Sequence, residues 1–289
     1  VLFGYRSHEV GLVLMNNPDQ TYRLKWVSPR FSKIDRPAMR IDLGCRLLGA
    51  ASPVPDTTHM PSAAMGVIKR VAAQMPRPNR QKMRRLRRFT DRFLKKHFSA
   101  DIFRADEEFS FDEWIENTPY ERYRKEELKL INERLKVEGF KKKHTHVKSF
   151  VKDECYGEYK HFRGIYSRTD EYKCKVGPFF QKMSDIIFSS KWFIKKIPVC
   201  DRPRWLLERF MDKNNIFCTD FSQFEAMFTR EIMTTVEMRV YRFFLQNNER
   251  RDEILKLIED GILGMNRIEF IAFCFMLECK RMSGEMNTS

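Results

Sequence analysis

Asp220 and Glu225 sit in the run Phe-Cys-Thr-Asp-Phe-Ser-Gln-Phe-Glu at 217–225, and Ser283-Gly284 opens a Ser-Gly-x-x-x-Thr run ending at Thr288. The short apolar segment from Ile216 to Thr219, after Asn214-Asn215, reads as a strand whose C-terminal end presents Asp220. A strand-end carboxylate suits Mg²⁺, a hard cation that takes a few carboxylates together with substrate phosphates. The glycine at 284 permits close backbone approach, as a loop beside a sugar or base requires. An isolated Asp is common and a Ser-Gly pair is ordinarily a turn. In combination they fit cation-assisted nucleotidyl transfer.

A third group lies upstream. Residues 147–168 place Lys152, Lys160, Arg163 and Arg168 on strand-like segments around a turn at Gly157. A triphosphate carries several negative charges and its leaving pyrophosphate gains more, so convergent Lys and Arg side chains can stabilise both. Read in isolation, the same segment is by default a basic hairpin facing solvent. Glu154, two residues after Lys152, can hold a neighbouring cation in place.

These groups need a scaffold, and the chain can supply one. Its 289 residues are 42% hydrophobic and 13% aromatic, too rich in core-forming material for a basic tail. The balance of 54 Lys+Arg against 39 Asp+Glu, formally +15, favours a polyanionic partner: RNA, DNA or an anionic membrane. Seven scattered cysteines (Cys45, Cys155, Cys174, Cys200, Cys218, Cys274, Cys279) contain no Cys-x-x-Cys pair, which disfavours a disulfide scaffold or zinc ribbon and points to a reducing compartment. His144 and His146 lack the companions of a metal site. The longest apolar run, Ile268 to Leu277, contains Glu269 and is too short to span a membrane. The chain opens on Val1 and closes within a motif, as an internal piece of a longer protein would.

Residues 1–75 read as extended or strand-rich segments broken by turns, then a small-residue helix from Ala63 towards Met75. Residues 77–98 hold ten Lys and Arg against the single acid Asp91, with Met83, Leu86, Phe89, Phe93 and Leu94 mostly three or four apart: a basic amphipathic helix. Its charge serves equally a solvated face or RNA-backbone contact, with a membrane surface as a weaker third use. Mixed-charge helix follows to about 138, and helical patterns recur around Phe179–Ile187 and Trp205–Met211. Phe224, Phe228, Ile232, Val236, Val240 and Phe244 recur every fourth residue, predicting one long helix packed on a sheet. Asn266–Cys279 reads as a strand pair leading to Ser283.

Taken in order, the segments resemble the RNA-directed RNA polymerases of positive-strand RNA viruses, most closely the tombusvirus and nodavirus-like group. The stretch with Lys152, Glu154, Lys160, Arg163 and Ile165 is similar to the basic fingers motif F, residues 217–225 to motif A, and residues 281–289 to the start of motif B. The resemblance implies an α+β right-hand polymerase fold, incomplete in this sequence. It divides the chain into an N-terminal segment of unassigned role (1–75), fingers (76–210) with motif F at 150–168, palm (211–246) with motif A, a fingers–palm connection (247–282) and the start of motif B (283–289). It implies a catalytic Asp220 binding Mg²⁺, with Mn²⁺ as a substitute, and triphosphate contacts from Lys152, Lys160, Arg163 and Arg168. Glu225 stands where the family has a ribose-reading Asp, and Ser283, Gly284 and Thr288 form the loop beside template and nascent base pair. Two Mg²⁺ would promote in-line attack of an RNA 3′-hydroxyl on the α-phosphate of a nucleoside triphosphate, during viral genome replication and transcription. Template, nascent strand, nucleoside triphosphates and viral replication proteins are the implied partners, at membrane-associated sites in the host cytoplasm.

No Gly-Asp-Asp occurs, so motif C and the thumb are expected outside this sequence and the piece is expected to be inactive alone. The competing expectation is a non-catalytic basic RNA-binding or capsid-like viral protein. The polymerase reading requires Asp220 and Ser283 to border one cavity beneath Lys160 and Arg163.

Overall fold

A computed structural model describes residues 22–27, 54–156, 158 and 160–287. It is an α+β fold built on a five-stranded mixed sheet. The strands are β1 (Tyr22–Trp26), β2 (Val147–Val151), β3 (Gly164–Arg168), β4 (Met265–Glu269) and β5 (Phe273–Glu278), in spatial order β1-β5-β4-β2-β3. All neighbours are antiparallel except β2 and β4, where Val147 lies opposite Ile268. β2 and β3 form the hairpin anticipated around the basic residues, and β4 and β5 the anticipated strand pair.

Helix α1 (Met60–Arg70) covers one face of this sheet. Pro61 in its first turn costs no intrahelical hydrogen bond. Ala63, Ala64 and Val67 are small enough to bring the helix close to Val147, Phe162, Tyr166 and Phe275. A side chain at Gly66 would place its Cβ only 2.4 Å from the Phe162 carbonyl oxygen, so the glycine permits that approach. The helix ends at Arg70, short of the expected Met75.

The remaining helices are α2 (Arg80–His97), α3 (Phe111–Asn117), α4 (Arg122–Glu138), α5 (Asp170–Phe188), α6 (Arg202–Phe210), α7 (Phe224–Met227), α8 (Arg230–Thr235), α9 (Glu237–Phe244) and α10 (Arg251–Ile262). Most of them pack around a second body of core, whereas α6 buries no residue. Leu94, Phe103, Phe109, Phe179, Phe180, Met233, Met238, Tyr241 and Phe244 meet there, many as edge-to-face aromatic pairs. Asn79 caps α2 by accepting from the Gln81 and Lys82 amides. Trp114, Ile115, Leu128 and Leu135 seat α3 and α4 against α5. Among the described residues, no helix is long and apolar enough to cross a membrane. The six described cysteines are free thiols.

Two expectations are corrected. The stripe from Phe224 to Phe244 is three helices rather than one. Phe228 leaves helical geometry, and the Thr229 hydroxyl restarts the chain by capping the Ile232 amide. The buried residues are accordingly Ala226, Met233, Met238, Tyr241 and Phe244. The second correction is Ile216–Thr219, which is not a strand. Residues 211–220 are exposed throughout and pair with no strand of the described sheet, and apolar β-branched composition cannot make a strand without a neighbour to take its backbone groups.

Candidate functional site

The hairpin ends position the basic residues. Lys152 follows β2, Arg163 precedes β3, and the Lys152 amide donates to the Arg163 carbonyl at 2.8 Å, extending the ladder past both. Glu154 lies between the two cations, 2.6 Å from Lys152 Nζ and 3.0 Å from Arg163 Nη1. Burial raises the Glu154 carboxyl, but the hydrogen bond and charge of Lys152 and the charge of Arg163 outweigh it, so the group lies below its usual range and is ionised. Buried Tyr156 accepts from the Arg163 amide at 3.0 Å, and Lys160 stands over its ring.

The loop after β5 docks on the same strand. The Gly284 amide donates to the Tyr166 carbonyl at 2.7 Å, Ser283 Oγ donates to the Gly164 carbonyl at 3.3 Å, and Ser167 Oγ donates to the Gly284 carbonyl at 3.3 Å. A Cβ at Gly284 would fall 2.8 Å from the Tyr166 carbonyl oxygen. The glycine is therefore required by packing as well as by any role beside a ligand.

Lys152, Arg163, Glu225 and Ser283 consequently line one cavity, together with Arg70 at the end of α1 and buried Tyr166. Its volume is about 40 Å³, room for a water or two and too little for a nucleotide. Any phosphate must instead meet the solvent side of Lys152 and Arg163, where both side chains are roughly half exposed. Glu225 reaches the cavity from α7, two residues after Gln223, whose φ of 54° is a left-handed conformation uncommon for that residue.

Arg168 is not in this group. Its guanidinium is turned inward, donating to Glu285 Oε1, the Thr145 carbonyl and Asn266 Oδ1, each at 2.6 Å. On β3 it shares a face with Tyr166, and that face is buried. With every branch of the guanidinium occupied, Arg168 is a structural residue and not a triphosphate contact.

Asp220 does not border the cavity either, and neither does Lys160. Asp220 stands in exposed chain, and among the described residues no three His, Cys, Asp or Glu side chains are grouped as a metal ion would need. Thr288 and the turn residue Gly157 lie outside the described residues.

Arg70 and Glu285 were not anticipated from the sequence. Glu285 had one usable signal, its four-residue spacing from Arg281, which the structure closes at 3.1 Å. Arg70 had none, because only tertiary packing brings the end of α1 to the hairpin. No protein-family model matches this chain, and no curated protein matches it.

Proposed function

We propose that this chain belongs to the fingers and the first part of the palm of a template-directed RNA polymerase. In this reading Lys152 and Arg163 receive the triphosphate and the Ser283-Gly284 loop lies beside sugar and template. One observation supports it above the rest: Lys152 and Arg163, Glu225, and Ser283, from three segments far apart in sequence, share one cavity. The three segments meet beside β3, where the solvent side of Lys152 and Arg163 is open to a ligand larger than the cavity. Of the four groups expected around one cavity, Arg163 and Ser283 line it while Asp220 and Lys160 do not, so the metal role of Asp220 is proposed from motif order alone.

A second reading, a non-catalytic basic RNA-binding or capsid-like protein, draws on the ungrouped position of Asp220. The full-length protein discriminates the two when incubated with an RNA template, nucleoside triphosphates and either Mg²⁺ or Mn²⁺. Template-dependent product that Asp220→Asn abolishes, with RNA binding retained, supports the polymerase. RNA binding without product in either ion leaves the second reading standing.

A further inference from the structure

We propose that the outer face of α2, together with Trp192, is a docking platform for a single-stranded polynucleotide. It goes beyond the nucleotide-handling reading, shares no residue with the cavity beside β3 and holds whether or not the protein copies RNA. Arg85, Arg88, Arg92 and Lys96 recur at three- and four-residue intervals, which puts them on one stripe of the helix. All four are exposed, and among the described residues none forms a salt bridge. Asp91, the acid of this helix, does not neutralise them. Arg239 of α9 holds it through two hydrogen bonds of 2.7 and 2.6 Å.

Aromatic rings run along the same stripe. Phe89 is 57% exposed in its midst and lies 5.8 Å from Phe93, which lies 4.8 Å from the 40%-exposed Trp192. His97 completes the cluster 4.6 Å from Trp192, and Lys191 stands over the Trp192 ring. Cations spaced for phosphates beside exposed π-faces are the two requirements of single-strand binding. A duplex would use only the cations, because its bases are already stacked. A membrane is the poorer fit: Met83, Thr90 and Leu94, the opposite face of α2, are buried and the helix packs on α8 and α9, so the apolar side of the helix is spent in the core and the exposed rings stand among cations.

The test is fluorescence anisotropy of the full chain with labelled oligouridine, in the absence of nucleotides and across salt from about 50 to 200 mM. Arg85→Gln/Arg88→Gln/Arg92→Gln should weaken binding at least about tenfold and reduce the slope of log affinity against log salt by about 2, at ~0.7 per lost phosphate contact. Phe89→Ala/Trp192→Ala should weaken it about tenfold with the slope unchanged, the signature of lost stacking. Melting curves check that each variant is folded, and Arg85→Gln/Lys96→Gln replaces the triple variant if that one is not. Wild-type affinity in either class of variant overturns the proposal. So does equal affinity for duplex RNA, or vesicles of phosphatidylserine displacing the oligouridine from this face. Arg163→Ala and Asp220→Asn should leave this binding unchanged, which separates its failure from failure of the polymerase reading.

Discussion

Arg168 Nε donates to Glu285 Oε1 at 2.6 Å across 117 residues of chain, and both side chains are no more than 3% exposed. The other oxygen of Glu285 accepts from Arg281 at 3.1 Å, and Arg281 also pairs with Glu237 at the start of α9. Two guanidiniums and two carboxylates thus balance inside the fold. They join β3, the loop after β5 and α9, the elements that hold Ser283 and Gly284 against the cavity.

Removing Glu285 unbalances this cluster. Glu285→Ala leaves Arg168 and Arg281 buried without their shared acceptor, which should cost about 3–5 kcal/mol, as breaking buried pairs does. Urea unfolding should report a lower midpoint with an unchanged slope. A loss under about 1 kcal/mol would mean that desolvation cancels the pairing and that the cluster does not hold the loop.

Gly284→Ala probes the same loop sterically. Its Cβ would meet the Tyr166 carbonyl oxygen at 2.8 Å, and that oxygen belongs to a paired strand with little freedom to move. Stability should fall by about 1–3 kcal/mol, the usual cost of overpacking. Wild-type melting behaviour would mean that the loop does not dock this closely.

The hairpin β2–β3, the strand pair β4–β5 and the helix α2 were legible because alternation and three-to-four spacing depend on near neighbours alone. Period two also carried a signal for Arg168 that the expectation overlooked: Tyr166, two residues earlier, shares its face, and a strand buried there must bury both. The break in the Phe224–Phe244 stripe was less visible, because a hydrophobic period continues across Thr229 even though that residue caps a new helix. Composition alone favours a strand at Ile216–Thr219, yet a strand exists only where another strand pairs with it. The cavity of Lys152, Arg163, Glu225 and Ser283 depends on tertiary packing, so its members were nameable from motifs while the contributions of Arg70 and Glu285 were not.

Asp170 provides a test by pH. Burial raises its carboxyl, but hydrogen bonds and charge from Arg124 and Lys173 outweigh this, leaving it below its usual range. A carboxyl depressed in the folded state adds stability above its unfolded pKa of about 4, and that stability is lost as pH falls through the lower folded value. Asp170→Asn should therefore cost more at about pH 7 than at about pH 2.5. Equal costs at both would show that the contacts of α4 and α5 to Asp170 do not depend on its charge.

Glu154 governs how much positive charge the hairpin offers a ligand. At 2.6 Å from Lys152 and 3.0 Å from Arg163 it cancels one of two cationic charges, so an incoming triphosphate must displace or tolerate it. Glu154→Gln keeps the side-chain shape and removes the negative charge. Affinity for inorganic triphosphate, measured by calorimetry, should rise about threefold to tenfold, and the gain should shrink at high salt because both cations are partly exposed. Arg163→Ala should move affinity the other way. If Glu154→Gln leaves affinity unchanged or lowers it, and Arg163→Ala has no effect, then Lys152, Glu154 and Arg163 serve only to close the hairpin, and the triphosphate contact proposed for them is lost.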